Sequence, residues 1–133
     1  MEEGFDMTTH RGGCHCGKVQ FEIEAPADIK ATKCNCSICT MCGFVHLFVA
    51  HKNFRLLSGE SSLTTYTFNT GVAQHSFCSE CGVKSYYVPR SHPDGLSINV
   101  NCLDHSSVCS VAVAQFDGQN WERNVAELSP ISD

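Results

Sequence analysis

The chain has 133 residues, 42% of them hydrophobic and 17% charged, with a formal net charge of −5. That length suits one domain, and the composition excludes a disordered polymer, because apolar surface is plentiful and charge is sparse. The acidic balance argues against a general nucleic-acid groove, which needs a basic face, and no apolar run reaches the ~18 residues of a membrane span.

Residues 1–10 carry neither a basic segment nor an apolar one, so they read as an N-terminal tail and not as a secretory signal. Arg11-Gly12-Gly13 leads into Cys14-His15-Cys16-Gly17. Glycines there permit the tight turns that let two neighbouring sulfurs face one metal. Residues 18–24 alternate, with Val19, Phe21 and Ile23 on one face and Lys18, Gln20, Glu22 and Glu24 on the other. That is the pattern of a half-buried antiparallel strand, ended by Ala25-Pro26. A short strand over 30–33 runs into Cys34-Asn35-Cys36-Ser37-Ile38-Cys39. One helical turn is expected over 37–42, closed by Gly43.

Residues 44–50 read as a buried strand and 53–57 as a short one. The Thr- and aromatic-rich run 62–68 and the run 72–77, joined by Asn69-Thr70-Gly71, predict a hairpin. It returns the chain to Cys78-Ser79-Glu80-Cys81-Gly82. A strand over 83–88, a loop over 89–95, an alternating strand over 96–102 and a strand over 108–116 follow. In the alternating strand Leu96, Ile98, Val100 and Cys102 share the apolar face. A short helix is expected over 121–128. Many short strands between turn signals predict an all-β domain over 11–123, between tails 1–10 and 124–133.

Seven of the ten cysteines stand in three clusters. Thiols so close in sequence rarely pair with one another. An intracellular setting, cytoplasmic or nuclear, keeps thiols reduced, and there such clusters are more often metal sites. Cys14 and Cys16 with Cys78 and Cys81 supply four thiolates, enough for a closed structural zinc site. Cys34, Cys36 and Cys39 remain, and two arrangements are open. Three thiolates with a free position is the form of catalytic zinc. The other form is a closed site in which Cys42 is the fourth ligand, with Cys39 and Cys42 on one face of a helical turn. Cys102, on an apolar face, reads as a buried structural thiol, and Cys109 also lacks a partner at ligand spacing. His75, just before Phe77-Cys78, is the catalytic histidine candidate, with His46 second. His15 is expected to point outward, and His10, His51, His92 and His105 to lie on the surface.

The ordered motifs Gly12-Gly13-Cys14-His15-Cys16-Gly17, Cys34-Asn35-Cys36-Ser37-Ile38-Cys39 and Phe77-Cys78-Ser79-Glu80-Cys81-Gly82 resemble the glutathione-dependent formaldehyde-activating enzyme family, over about residues 12–121. Residues 63–70, Gln74-His75, Pro89-Arg90-Ser91 and Cys102-Leu103-Asp104 are similar to its centromere protein V subgroup. The resemblance implies a small zinc-binding fold of several short coiled antiparallel sheets. It implies two zinc ions per chain, a structural one on Cys14, Cys16, Cys78 and Cys81 and a catalytic one on Cys34, Cys36 and Cys39. It also implies a carbon–sulfur lyase of the S-(hydroxymethyl)glutathione synthase type, acting on a small aldehyde and a small thiol, glutathione in the founding activity.

Two departures from the subgroup bear on this. Thr40-Met41-Cys42 stands where basic residues are usual, which takes away an anionic-substrate contact and adds a thiol. The subgroup's long basic, proline-rich N-terminal extension has no counterpart here, so no role that depends on it is expected. Three thiolates already place negative charge on a metal, which favours thiol exchange or substrate positioning over strong carbonyl activation. The rival reading is a non-catalytic zinc module that binds a protein partner.

Overall fold

The computed structural model describes residues 7–35, 37–67, 74–89 and 94–116. Cys36, the turn expected at 69–71, His92 and everything from residue 117 onward, including the helix expected over 121–128, lie outside the described residues. The elements are β1 (Met7–Gly13), β2 (Gln20–Pro26), β3 (Asp28–Cys34), α1 (Ser37–Cys42), β4 (Val45–Ala50), β5 (Phe54–Ser58), β6 (Leu63–Tyr66), β7 (His75–Cys78), β8 (Tyr86–Tyr87), β9 (Gly95–Asn99) and β10 (Ser110–Phe116). The domain is therefore all-β, as the density of short strands predicts. Among the described residues no helix is long and apolar enough to cross a membrane.

The alternation of β2 works as its pattern predicts: Phe21, Ile23 and Ala25 turn into the core while Gln20 faces solvent. This strand lies between β1 and β5, antiparallel to both. β1 itself occupies residues that sequence alone assigns in part to a tail. Its run of Thr, His, Arg and Gly offers no apolar face to detect. What it turns inward is His10, which is fully buried and not on the surface. His10 Nδ1 lies 2.6 Å from Ser107 Oγ, and Nε2 lies 3.1 Å from the Pro26 carbonyl. A buried polar ring is tolerated when its nitrogens are partnered in this way. β6 and β7 form the expected antiparallel hairpin, with Leu63 opposite Cys78 and Tyr66 opposite His75.

The five-stranded sheet runs β10-β3-β4-β9-β8. All its pairs are antiparallel except β10 with β3, which is parallel, from Ser110 beside Asp28 to Phe116 beside Cys34. Residues directly opposite in neighbouring strands share a face. One face carries Leu47 opposite Ile98, Val49 opposite Leu96, and Tyr86 opposite Ile98. These side chains join Val19, Phe21 and Ile23 in the apolar core. The other face carries His46 opposite both Thr32 and Asn99, and Ser97 opposite both Phe48 and Tyr87.

That second face is polar yet shielded: Ser97 is 0% and Asn99 7% exposed. The alternating strand expected over 96–102 thus has no solvent side, and it stops at Asn99, with Val100–Cys102 forming a 3-10 turn. The strand expected over 83–88 is reduced to Tyr86–Tyr87. The segment before it lies across the polar face, where the Asn99 amide donates to the Ser85 carbonyl at 2.9 Å and Asn99 Nδ2 donates to the Lys84 carbonyl at 3.2 Å.

Gly59 is a tight backbone junction with a left-handed conformation. Its φ is +93°, and a Cβ there would lie 2.3 Å from the Lys18 carbonyl oxygen. Gly59→Ala combines a left-handed conformation with a clash against backbone, and a loss of about 2–4 kcal/mol is expected. Urea unfolding with zinc present measures it, and an unchanged midpoint would contradict the close approach.

Candidate functional site

Two similar turns bring the first and third cysteine clusters together. The Cys14 amide donates to the Val19 carbonyl at 3.0 Å and the Gly17 amide to the Cys14 carbonyl at 3.2 Å, with Gly17 at φ +83°. In the second turn the Gly82 amide donates to the Cys78 carbonyl at 2.8 Å and the Cys78 amide to the Val83 carbonyl at 3.1 Å, with Gly82 at φ +78°. A left-handed residue closes each turn, and glycine adopts that conformation without a Cβ penalty.

The sulfurs of Cys14, Cys16, Cys78 and Cys81 all lie within 4.8 Å of one another. Cys16 Sγ is 3.6 Å from both Cys14 Sγ and Cys78 Sγ. Four sulfurs bonded at about 2.3 Å to a central zinc stand roughly 3.8 Å apart. The four thiols therefore fit a metal ion with little rearrangement, and every described cysteine is free of a disulfide. Backbone amides also face the sulfurs: Val19 N–H reaches Cys14 at 3.3 Å and Glu80 N–H reaches Cys78 at 3.4 Å. Among the described residues this is the only group of three or more ligand-type side chains gathered so closely.

The cluster is built to hold negative charge. The Cys81 thiol is brought down to about 6, first by the Cys16 amide and then by that of Val83. At Cys14 burial raises the thiol, but the Val19 amide and the neighbouring Cys16 and Cys78 outweigh it and leave the value below the usual one. The Lys18 amide lowers Cys16, but desolvation and the three neighbouring thiols together push it up to about 12. Cys81 and Cys14 are thus the readier of these thiols to lose a proton and Cys16 the most reluctant. Cys102 stands apart: burial, and then the charges of Cys14 and Cys81, push it up to about 11. It is half-buried and remains a neutral thiol.

The second cluster lies at the polar face of the large sheet. Cys34 is half-buried at the end of β3, Cys39 is buried on α1, and Cys42 is exposed at the end of the same helix. Gly43, at φ +64°, ends that helix, as its position after Cys42 predicts. Cys39 Sγ is 3.2 Å from His46 Nε2, and His46 Nδ1 is 2.7 Å from Ser97 Oγ and 3.5 Å from the Tyr87 hydroxyl. His75 is buried nearby, stacked on the Tyr87 ring at 4.7 Å. The Lys84 ammonium sits 2.6 Å from His75 Nδ1, 3.8 Å from the Tyr87 ring centre and 5.1 Å from that of Phe44. Cation–π contact of this kind helps a lysine to be buried.

Cys39, His46 and His75 are thus brought into one neighbourhood through Tyr87 and Phe44. Sequence reasoning missed Lys84, Ser97, Tyr87 and Asn99. None of the buried polar side chains among the described residues is a carboxylate. As for a metal, three thiols form the soft donor set that zinc takes. The Cys39 sulfur faces a ring nitrogen and not an apolar wall, which suits a thiolate. Cys34 and Cys39 stand on β3 and α1, which touch each other.

The model of a family described as glutathione-dependent formaldehyde-activating enzyme matches residues 9–119. The chain belongs to that family. The fold is also similar to the crystal structure of a Rhodobacter sphaeroides protein, 31% identical, with a TM-score of 0.67, over 78% of this chain and 99% of that one. The formaldehyde-activating family match takes in all three cysteine clusters. It begins at residue 9, inside β1, and so includes a strand that has no apolar signature.

Closing the four-sulfur site is worth folding free energy, because ligands scattered along an unfolded chain do not preform it. Cys81→Ser is expected to aggregate or to unfold well below the wild-type temperature, and a strong zinc chelator is expected to do the same to the wild type. A soluble Cys81→Ser protein with an unchanged melting temperature would sink the structural role.

Proposed function

We propose that the protein is a zinc-dependent carbon–sulfur lyase-type enzyme acting on the adduct of a small thiol and a small aldehyde, with Cys34, Cys36 and Cys39 holding the zinc of an open site. Membership of the formaldehyde-activating family supports the reaction class. The observation that carries the reading is the buried polar neighbourhood of Cys39, with His46, His75, Lys84 and Ser97 on one shielded side of the sheet. A module that only bound a protein partner would gain nothing from burying those groups beside its second cysteine cluster, since each needs a partner to offset its desolvation. Similarity to the centromere protein V subgroup rests on the sequence stretches alone.

Bound there, zinc would keep a thiol as thiolate and hold it in position beside the carbonyl carbon. In the synthetic direction the substrate sulfur bonds to the aldehyde carbon, the carbonyl π pair moves to oxygen, and the proton lost from the thiol ends on that oxygen. In the lyase direction the same bonds break in reverse order. Negative charge on oxygen is where fixed donors help most. We assign that role to Lys84, steadied by His75 and by the Tyr87 ring. Lys84→Met is expected to lower turnover by about 100-fold without changing zinc content, as read by steady-state kinetics and metal analysis; undiminished turnover would remove Lys84 from the reaction.

The open-site reading separates two cysteines. Cys36→Ser is expected to lose about one zinc per chain and all lyase activity while staying folded, because the cross-linking site is elsewhere. Cys42→Ser is expected to keep both zincs and its activity. Metal analysis and X-ray absorption, giving sulfurs per zinc, check both. A Cys42→Ser protein that loses the second zinc would make the site closed and the binding-module reading the better one.

A further inference from the structure

We propose that His46 is the positioning residue of the Cys39 sulfur: with its ring held in place by Ser97, it donates Nε2–H to that sulfur and sets the direction and electron density with which Cys39 acts as a ligand. This rests on the reading of Cys34, Cys36 and Cys39 as the second zinc site.

The proton inventory decides the direction of the bond to Cys39. A metal-ligating sulfur is a thiolate with no proton to give, so at 3.2 Å from it the His46 Nε2 must carry the hydrogen. Nδ1 faces the Ser97 hydroxyl at 2.7 Å, a group that can donate or accept as the ring requires. The Tyr87 hydroxyl, at 3.5 Å, faces the same nitrogen. Both bonds are out of reach of water, since Cys39, His46 and Ser97 are all buried. The ring is also held in place, stacked on Phe48 at 5.7 Å and packed on Phe44 at 4.6 Å. Pairing of β4 with β9 places Ser97 opposite Phe48, two residues along from His46, so the hydroxyl and the imidazole share a face by construction.

The chemical consequence follows from charge. Three thiolates crowd negative charge on one site, and a hydrogen bond to one of them withdraws part of it. At the four-sulfur site backbone amides do this, from Val19 to Cys14 and from Glu80 to Cys78. At Cys39 a side chain takes on the work, and a side chain can be exchanged. Partners outside the ligand shell are commonly worth about 10–100-fold in metal affinity.

The test uses the full chain loaded with zinc and titrated against a chromophoric chelator, which resolves a tightly held ion from a looser one. His46→Ala is expected to weaken the looser zinc by about 10–100-fold and to leave the tighter one unchanged. His46→Gln, whose amide N–H reaches a similar place, is expected to restore most of the affinity. Ser97→Ala is expected to shift the looser zinc in the same direction by less. A purely structural role would lower the melting temperature of His46→Ala and leave zinc affinity alone, and that result overturns the proposal. So does a His46→Gln protein as impaired as His46→Ala. Should His46→Ala fail to fold, Ser97→Ala decides, and unchanged zinc affinity in it overturns the proposal. A wild-type protein that binds one zinc only refutes the second-site reading and this inference with it; that outcome is seen before any substitution is made.

Discussion

Everything in this domain depends on four sulfurs being drawn together. Cys16 and Cys78 are 62 positions apart in sequence and 3.6 Å apart in space. The sheets they join are small, one of three strands and one of two, and sheets of that size are marginal in water by themselves. A metal held by the four sulfurs would tie them into one body. Cys78 is also fully buried and belongs to the same apolar cluster as Phe21 and Ile98. Metal site and hydrophobic core therefore share a wall, so the loss of either loosens the other.

The five-stranded sheet then divides the interior in two. Its period-two alternation sends Leu47, Val49, Leu96 and Ile98 to the core and His46, Ser97 and Asn99 to the opposite side. Burying polar groups is costly unless each finds a partner. Here Asn99 ties to the segment holding Lys84 and Ser85, His46 to Ser97 and Cys39, and Lys84 to His75. The result is a set of partnered polar side chains, with His46, His75, Ser97 and Asn99 on strands, where geometry is better fixed than on loops.

The grouping of Cys14, Cys16, Cys78 and Cys81 was the most legible part of the sequence, because ligand spacing is a local property. So were β2, whose alternation separates core from water, and the helical turn ending at Gly43. The polar face was not legible. Ser97 and Asn99 follow the pattern of residues facing solvent, and hydropathy cannot distinguish water from a buried polar site. β1 escaped notice because its inward residue is a histidine held by hydrogen bonds. Lys84 looks like any surface lysine until the aromatic rings around it are placed. The pairing of β10 with β3 is parallel and bridges 82 positions between Asp28 and Ser110, so no local pattern could announce it.

On the ribosome, β3 emerges long before the strand that completes its sheet. Cys14, Cys16, Cys78 and Cys81 all precede β10 in the chain, so the four-sulfur site can close before β10 docks. Until Ser110–Phe116 arrives, β3 has one edge bare, and bare edges recruit other chains. Lys30 and Lys33, both exposed on β3, oppose such association by charge. When β10 docks, the Asn35 amide bonds to the Phe116 carbonyl at 3.2 Å, at the threshold of the second cysteine cluster. The sheet that carries the buried polar face is thus completed only when β10 arrives.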